Sequence, residues 1–242
     1  MKILCVIPAR LHSTRLPRKL LLPIHGKPIV QWTFENASRS TLLDQVIVAT
    51  DSLEIADVIS KIGGKVIMTH SDIATGSERV AVVAEQFPDA DVIINLQADE
   101  PFIKPPMLKE LITPYLQGEH PPMTTLAYPL EKDKYHTPGS VKVITDLNNN
   151  AIYFSRSPIP YYRVEGEMAP VYNHAGIYAF RRDFLMLYRT LPQTQLEKIE
   201  CLEQLRVIEH GYKIRVCFTE EKTLEINTPE EYAKAQLFEY VA

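Results

Sequence analysis

The sequence predicts an α/β protein with a mixed, mostly parallel sheet flanked by helices. Short apolar runs without polar alternation, such as Ile3 to Ile7, Val46 to Ala49 and Val92 to Leu96, indicate strands that are buried on both faces. Segments of helical period separate these runs, which is typical of parallel sheets covered by helices. Because ligands of such sheets bind at the carboxyl ends of the strands, the loops that begin at Pro8 and Gln97 are candidate sites.

Helices are predicted between the strands of the first hundred residues. The first runs from Pro28 to Ser38, and the second is capped by Asp51 or Ser52 and ends at Gly63 and Gly64. A strand at Val66 to Met68 follows. The third helix runs from Ser77, its predicted cap, to about Glu85. In the second of these helices Ile55, Ile59 and Ile62 share one face.

The pattern changes after Lys104, and the second half is interpreted as an elaboration of the same sheet. The predicted elements are a helix from about Pro106 to Leu116, strands at Met123 to Tyr128, Ile177 to Phe180 and Ile214 to Phe218, a hairpin of Val141 to Thr145 with Ala151 to Ser155, and a helix from Leu196 to His210. A capping box formed by Thr228 and Glu231 begins the last helix. Since no linker interrupts the chain, one domain spanning residues 1–242 is predicted.

Composition gives no sign of a polyanion partner. The 242 residues are 45% apolar and 23% charged with a net charge of −4, so neither nucleic acid nor a membrane is expected to bind. No stretch approaches the ~20 apolar residues of a membrane span and the first apolar run is too short for a signal sequence, so a cytoplasmic location is expected. The three cysteines, Cys5, Cys201 and Cys217, are predicted to be reduced and buried.

The segment from Pro8 to Lys19 holds most of the candidate chemistry. It carries Arg10, Arg15, Arg18 and Lys19, two hydroxyl residues and no acidic residue. Cations and hydroxyls on a loop at the carboxyl end of a strand suit a triphosphate, although a solvated basic loop has the same composition. The glycine-rich signatures of Walker-type NTPases and of nicotinamide enzymes are absent.

Two further loops reach the same predicted sheet edge. Asp99, after the strand that ends at Leu96, is able to hold a Mg²⁺ ion that also binds phosphate, or alternatively to begin a turn. The small residues of Thr75 to Arg79 permit close approach of a flat ligand, or simply start a helix.

Polar residues stand among apolar ones in three later segments, around Arg156, His174 and Glu203. An arginine there suits a substrate carboxylate, and His174, Glu203 and Gln204 suit hydroxyl groups. A structural polar residue satisfied within the fold is the alternative for each of them.

Taken together and in order, these segments resemble the cytidylyltransferase family that activates 3-deoxy-D-manno-octulosonate, the CMP-KDO synthetases. The resemblance runs nearly end to end. It includes the segments IPARLHSTRLPRK, HGKPIVQW, VIVATD, GSERV, NLQADEPF, VKVITD, YFSRSPIP, HAGIYAF, LEKIECLEQLRVIEHG and INTPEEY.

The resemblance implies a nucleotide-diphospho-sugar transferase (Rossmann-like) fold with a small projecting hairpin region. It implies a homodimer that uses Mg²⁺, CTP and a 2-keto-3-deoxy sugar acid for lipopolysaccharide biosynthesis, with residues from about 121 to 176 serving sugar binding and dimerisation. The mechanism that the resemblance implies is attack of the anomeric hydroxyl on the α-phosphorus of CTP, with pyrophosphate as the leaving group.

The same resemblance assigns site residues. Catalytic roles fall to Arg10, Arg15, Lys19 and Asp99. Nucleotide contacts are implied for Pro8, Ala9, Arg10, Ser13, Thr14, Arg15, Lys19, Thr75, Gly76, Ser77 and Gln97. Sugar contacts are implied for Arg156, His174, Tyr178, Glu203 and Gln204. The metal site consists of Asp99 and Asn227.

Two positions depart from the family pattern. Ala98 stands where the family usually has Gly, which restricts the backbone beside Asp99. Asn227 stands where the family has a second metal carboxylate, so we predict weaker metal binding, with Glu225 as a conceivable substitute. The alternative functions are a cytidylyltransferase for a related acid sugar, such as 8-amino-KDO or a nonulosonate, and a non-catalytic binder of CTP or sugar nucleotides.

Overall fold

The computed structural model describes residues 1–13, 15–73, 75–164 and 170–238, and the chain forms two compact units. Unit 1 comprises residues 1–109 and 223–242, and unit 2 comprises residues 110–222. The prediction of a single domain stays a prediction. In chain order, the strands are β1 (Ile3–Ala9), β2 (Pro23–Ile24), β3 (Lys27–Pro28), β4 (Gln45–Thr50), β5 (Lys65–Met68), β6 (Val92–Asn95), β7 (Met123–Pro129), β8 (Lys142–Thr145), β9 (Ala151–Ser155), β10 (Tyr172–Arg181) and β11 (Ile214–Phe218).

Eight α-helices are assigned within the described residues. They are α1 (Ile29–Ser38), α2 (Leu53–Lys61), α3 (Gly76–Ala84), α4 (Pro105–Leu116), α5 (Arg182–Tyr188), α6 (Gln195–Glu200), α7 (Leu205–Glu209) and α8 (Pro229–Gln236). Within the described ranges, none of the helices has the length and apolar character needed to cross a membrane.

A parallel sheet forms the centre of unit 1. Strand β1 pairs in parallel with β4 on one side and β6 on the other, and β4 pairs in parallel with β5. All seven residues of β1 are buried, as expected for a central strand covered on both faces. The loops that follow β1 and β6 therefore leave the sheet at the same edge, which confirms the predicted arrangement.

In unit 1 the structure decides between the two alternatives for one helix cap and corrects the prediction of another. Ser52, not Asp51, caps α2, because its hydroxyl accepts from the N–H of Ile55 at 3.4 Å. Ile55 and Ile59 are buried, but Ile62 lies at the end of the helix and is 38% exposed. Thr75 caps α3 in a capping box with Glu78, so the prediction of Ser77 as the cap is wrong.

The sheet of unit 2 is mixed. Strand β7 pairs in parallel with β11 and in antiparallel fashion with β10, and β8 pairs with both β9 and β10. The predicted hairpin of β8 and β9 is confirmed. Its turn uses Asn149 with a φ of 59°, and the Asp146 carboxylate accepts the N–H groups of Asn148 and Asn150.

Other expectations for unit 2 are wrong. The single helix predicted from Leu196 to His210 is two helices, α6 and α7, because Cys201 adopts a left-handed conformation with a φ of 53° and ends α6. Strand β10 begins at Tyr172, well before the predicted Ile177.

The cysteines are only partly as predicted. Cys5 is buried as expected, whereas Cys201 is exposed and Cys217 only partly buried.

Candidate active site

A polar cavity of about 370 Å³ in unit 1 collects residues from the loops after β1 and β6. The lining residues are Pro8, Arg10, His12, Ser13, Arg15, Lys19, Leu20, Gly76, Gln97, Ala98, Asp99 and Asn227. Most of the residues assigned from the sequence to nucleotide, catalysis and metal therefore lie around one space. Their individual roles stay predictions.

Lys19 is the centre of the cavity's hydrogen bonds. Its ammonium donates to the Asp99 carboxylate at 2.5 Å and to the Asn227 amide oxygen at 3.1 Å, while the residue is only 9% exposed. The Ile226 N–H donates to the Asp99 carbonyl oxygen at 3.1 Å, which ties the chain before α8 to the turn after β6. Segments far apart in sequence are thus joined around one cation.

The beginning of α8 fixes the position of Asn227. The predicted capping box is present, since Thr228 accepts from the N–H of Glu231 and Glu231 accepts from the N–H of Thr228. The Glu231 carboxylate also accepts from the N–H of Asn227 at 2.7 Å. The main chain of Asn227 is therefore held by the helix cap.

The four cations of the basic segment do not all face the cavity. Arg15 donates to the Asn227 amide oxygen at 3.1 Å, and Arg10, half-buried, donates to the carbonyl oxygen of Ile73. Arg18 instead forms an ion pair with Glu54 on the surface. Arg10, Arg15 and Lys19 are thus the three cations that line the cavity, as the triphosphate prediction requires.

The donors around Lys19 fit a divalent cation. Two oxygens, one from the Asp99 carboxylate and one from the Asn227 amide, converge on one ammonium and so lie less than about 6 Å apart. One or two protein oxygens completed by water and phosphate oxygens are typical of Mg²⁺ sites. Among the described residues, no group of three or more His, Cys, Asp or Glu side chains could hold a metal alone.

Two more carboxyl groups stand beside this pair. Glu100 is buried, and its Oε2 has no hydrogen-bond partner among the described residues. Burial, followed by the charges of Glu225 and Asp99, raises the pKa of Glu100 well above its usual value. Desolvation and the Asp99 charge likewise raise the pKa of Glu225, although that residue is exposed as a whole, which moderates the effect.

The Asn227 side chain lies among these charged groups. Its amide oxygen accepts from Lys19 and Arg15, and its side chain also hydrogen-bonds to Glu225, which therefore accepts from the amide nitrogen. A carboxylate at position 227 would instead face Glu225. The role of Glu225 as a substitute metal ligand stays a prediction.

Gly76 lines the cavity beside Pro8 and Gln97. A Cβ built at this residue would lie 3.4 Å from Cγ of Pro8 and 3.5 Å from the Gln97 amide nitrogen, at van der Waals contact with both. The Gln97 amide in turn donates to the Asn95 side chain at 3.1 Å. Ala98, beside it, is buried without a left-handed backbone, so the departure from glycine causes no strain.

Several residues assigned to the nucleotide lie outside the cavity lining. Ala9 is buried within β1, Thr75 caps α3, and Ser77 accepts from the Asn95 side chain at 3.0 Å. Thr14 lies outside the described residues. For all four, nucleotide contact stays a prediction.

Three residues at or near the cavity were missed from the sequence. His12 and Leu20 line it, and their place within and beside the basic segment was the available signal. Arg79 is fully buried and donates to Asp51 at 3.1 Å and to Thr69. Burial lowers the pKa of the Arg79 guanidinium, and Asp51 opposes that change. Nothing in the local pattern marked this arginine as buried.

The residues assigned to the sugar acid lie in unit 2, where three of them join one buried chain of hydrogen bonds. Thr125 contacts His174 Nε2 at 2.9 Å, the Gln204 amide nitrogen contacts His174 Nδ1 at 3.4 Å, and the Tyr178 hydroxyl donates to Gln204 at 3.1 Å. Because the Thr125 hydroxyl donates to the Ile177 carbonyl at 2.9 Å, it accepts from His174, which is inferred to carry its proton on Nε2. Burial lowers the pKa of His174 to about 3, so the ring is neutral.

Arg156 and Glu203 are placed differently from the buried chain. Arg156 is half-buried and donates through Nε to the Glu200 carbonyl oxygen at 2.9 Å and through Nη1 to the Pro138 carbonyl oxygen at 3.1 Å. The carbonyl oxygen of Glu203, which is also half-buried, accepts from the Tyr188 hydroxyl at 3.4 Å. All five sugar assignments stay predictions. Thr125 belongs to the same buried chain of hydrogen bonds, and the sequence analysis missed it.

A parallel sheet with a basic loop and a carboxylate at the carboxyl ends of its strands suits a nucleotidyltransferase, and the comparisons with known proteins identify the class. The sequence model of the family described as cytidylyltransferase matches residues 4–214. A 3-deoxy-manno-octulosonate cytidylyltransferase from Acaryochloris marina is 52% identical over 98% of this chain and 97% of its own. The protein of that name from Synechococcus elongatus is 48% identical over 97% of this chain and 96% of its own.

A solved structure agrees with these relatives. It is described as CMP:2-keto-3-deoxy-manno-octonic acid synthetase complexed with CTP, and it matches with a TM-score of 0.92 and 39% identity over 98% of each chain. The chain belongs to the cytidylyltransferase family, in the group of the 3-deoxy-manno-octulosonate enzymes.

Proposed function

We propose that this protein transfers the cytidylyl group of CTP to the anomeric hydroxyl of 3-deoxy-D-manno-octulosonate and releases pyrophosphate. The observation that carries the proposal is the Lys19 ammonium held between Asp99 and Asn227 in a cavity that Arg10 and Arg15 also line. The relatives named above support the choice of nucleotide and sugar. Because both curated relatives bear the name of the octulosonate enzyme, neither a related acid sugar nor a non-catalytic binder is favoured.

The reaction needs positioning and charge neutralisation rather than an enzyme nucleophile. The oxygen of the sugar hydroxyl forms a bond to the α-phosphorus and gives up its proton to solvent water, and the bond from that phosphorus to the pyrophosphate oxygen breaks. Negative charge develops on the departing oxygens, and Lys19, Arg10 and Arg15, which line the cavity, would neutralise it. Pro8, Gly76 and Gln97 form an open floor that suits a flat base.

Asp99 and Asn227 would hold a Mg²⁺ ion. When bound, the metal withdraws charge from phosphate oxygens and fixes the triphosphate's orientation. With a metal ion held there, the Lys19 ammonium would exchange its contacts with the two oxygens for contacts with phosphate. A mobile lysine side chain is suited to that exchange because its charge is compact and its stem flexible.

The proposal is tested by pyrophosphate release from the purified protein with CTP, Mg²⁺ and the sugar acid, each omitted in turn. Release that requires all three supports the proposal. The 8-amino analogue and a nonulosonate are tried in parallel, and faster release with either of them overturns the choice of substrate. Binding of CTP without release from any sugar, at every Mg²⁺ concentration, overturns the proposal of catalysis.

We also propose that the protein acts as a homodimer through unit 2. A cavity of about 720 Å³ there is lined by aromatic side chains that include Tyr135 and Tyr162, and Tyr161 at its edge is 87% exposed. Exposed apolar surface of this kind suits a subunit interface. Light scattering during size-exclusion chromatography should give twice 27.6 kDa for the native protein and 27.6 kDa for Tyr161→Glu. A native mass of one chain would contradict the proposal.

We further propose that the reaction takes place in the cytoplasm and supplies lipopolysaccharide biosynthesis. The use of CTP, a nucleotide of the cell interior, supports this placement. A strain that lacks the gene should accumulate the free sugar acid and lose it from its lipopolysaccharide, and a plasmid copy should restore both. Unchanged lipopolysaccharide in that strain would contradict the proposal.

A further inference from the structure

Lys142, the first residue of β8, is a buried cation that contacts only main-chain acceptors in the described structure. Its side chain is inaccessible to solvent, and its ammonium donates to the carbonyl oxygens of Ser140 and Arg156 at 2.6 Å and of Thr137 at 3.1 Å. Three N–H groups thus meet three acceptors. A fully buried lysine is usually paired with a carboxylate, so this arrangement needs an explanation.

Arg156 is the second cation of the same cluster, and its main chain is fixed on both sides. Lys142 holds the Arg156 carbonyl oxygen, and the Glu200 carboxylate accepts the Arg156 N–H at 3.0 Å. The other Glu200 oxygen accepts from the Ser155 hydroxyl at 2.6 Å. The guanidinium itself lies against the carbonyl oxygens of Glu200 and Pro138. None of these contacts gives the guanidinium a carboxylate.

Both cations hold the same turn. Lys142 binds the carbonyl oxygens of Thr137 and Ser140, and Arg156 binds that of Pro138 between them. Two cations are therefore accompanied by one anion, Glu200, and the cluster carries a net charge of about +1. Burial lowers the pKa of Lys142, with the charge of Glu200 opposing this change, as expected for an ammonium without a directly bound carboxylate.

We propose that Lys142 is a positioning residue for sugar-acid recognition: it fixes the main chain of Arg156 and supplies the unbalanced positive charge that a substrate carboxylate neutralises. The inference rests on the proposed function and deepens it. The cluster holds the sugar by its acid group and leaves the uncharged C2 hydroxyl free to react. A sugar without a carboxylate, or with an amide in its place, leaves the cluster's charge uncompensated and binds poorly.

The test compares Lys142→Met, of similar length but without charge, with Val143→Ala. Val143 is the next residue of β8 and is buried, so its truncation weakens the same strand without altering the charge of the cluster. Steady-state rates are measured with each substrate varied in turn, and thermal unfolding is measured for each protein. Lys142→Arg, which keeps the charge, is the rescue variant.

We expect Lys142→Met to raise the KM for 3-deoxy-D-manno-octulosonate by about tenfold or more, with the KM for CTP unchanged within about twofold. Lys142→Arg should recover most of that loss, and Val143→Ala should lower the melting temperature without raising either KM. The native enzyme should bind the sugar acid at least about tenfold more tightly than its amide, and Lys142→Met should reduce this preference.

An unchanged KM for the sugar acid in Lys142→Met overturns the inference, as does an equal rise in Val143→Ala. If Lys142→Met does not fold, Lys142→Gln is used, since it keeps a donor for the carbonyl oxygens but no charge. Failure of the proposed function is distinguishable, because the native enzyme would then release no pyrophosphate with this sugar acid. An enzyme that turns over the octulosonate but ignores the Lys142 substitutions contradicts only the inference about Lys142.

Discussion

The substitution Asn227→Asp restores a second carboxylate at the proposed metal site, and the structure allows its effect to be estimated. The new carboxylate would keep the contacts with Lys19 and Arg15 and would lie less than about 6 Å from the Asp99 oxygen. At an effective dielectric constant of ~40 for this partly exposed pair, the repulsion between the two carboxylates is about 1.4 kcal/mol. A divalent cation held by the two residues would offset that repulsion.

We therefore expect the Mg²⁺ concentration for half-maximal pyrophosphate release to fall by about tenfold in Asn227→Asp. The assay holds CTP and sugar acid constant and varies free Mg²⁺. Asn227→Ala, which removes the oxygen donor, is the matched control and should raise the same concentration. The combination of Asn227→Asp with Glu225→Gln should raise it again, because it removes a negative charge beside the new carboxylate. An unchanged Mg²⁺ requirement in Asn227→Asp would refute the assignment of position 227 to the metal.

Two other predictions concern the cavity floor and the buried histidine. Gly76→Ala places a methyl group against Pro8 and Gln97, so we expect the KM for CTP to rise roughly tenfold while the melting temperature is unchanged or higher, and an unchanged KM would remove Gly76 from the nucleotide site. His174 is neutral in the folded protein because its pKa falls from 6.5 to about 3, whereas the unfolded chain gains a proton below pH 6.5, so folding loses stability as the pH falls from 6.5 toward 3. In urea unfolding, the stability of the native protein relative to His174→Gln should therefore fall by about 2 kcal/mol between pH 8 and pH 5, and a difference independent of pH would contradict the buried neutral ring.

The features that sequence reasoning predicted correctly are encoded locally. The apolar runs of β1, β4 and β6 need only their own residues to show that both faces are buried. The capping box at Thr228 and Glu231 is equally local. Since parallel strands place their carboxyl ends at one edge, the meeting of the basic segment with Asp99 followed from the fold class alone.

The features that were missed depend on contacts between distant parts of the chain. Arg79 is buried because Asp51 and Thr69 receive its guanidinium, and Lys142 is buried because three carbonyl oxygens converge on it. Thr137 and Ser140 precede Lys142 closely, but Arg156 and, for Arg79, Asp51 are distant in sequence, and no residue pattern shows that these partners meet. The helical period from Leu196 to His210 continues through Cys201, so the break there reflects a left-handed residue that periodicity does not register.

The central claim is that the cavity around Lys19 catalyses transfer of CMP from CTP to the octulosonate. The most direct measurement follows the ³¹P NMR spectrum of CTP with Mg²⁺ and sugar acid for the native protein and for Lys19→Met, which removes the cation between Asp99 and Asn227. With the native protein, the CTP signals should give way to one phosphodiester signal and pyrophosphate in equal amounts, and Lys19→Met should be slower by about 100-fold or more. Pyrophosphate without the phosphodiester, or equal rates for the two proteins, would contradict the claim.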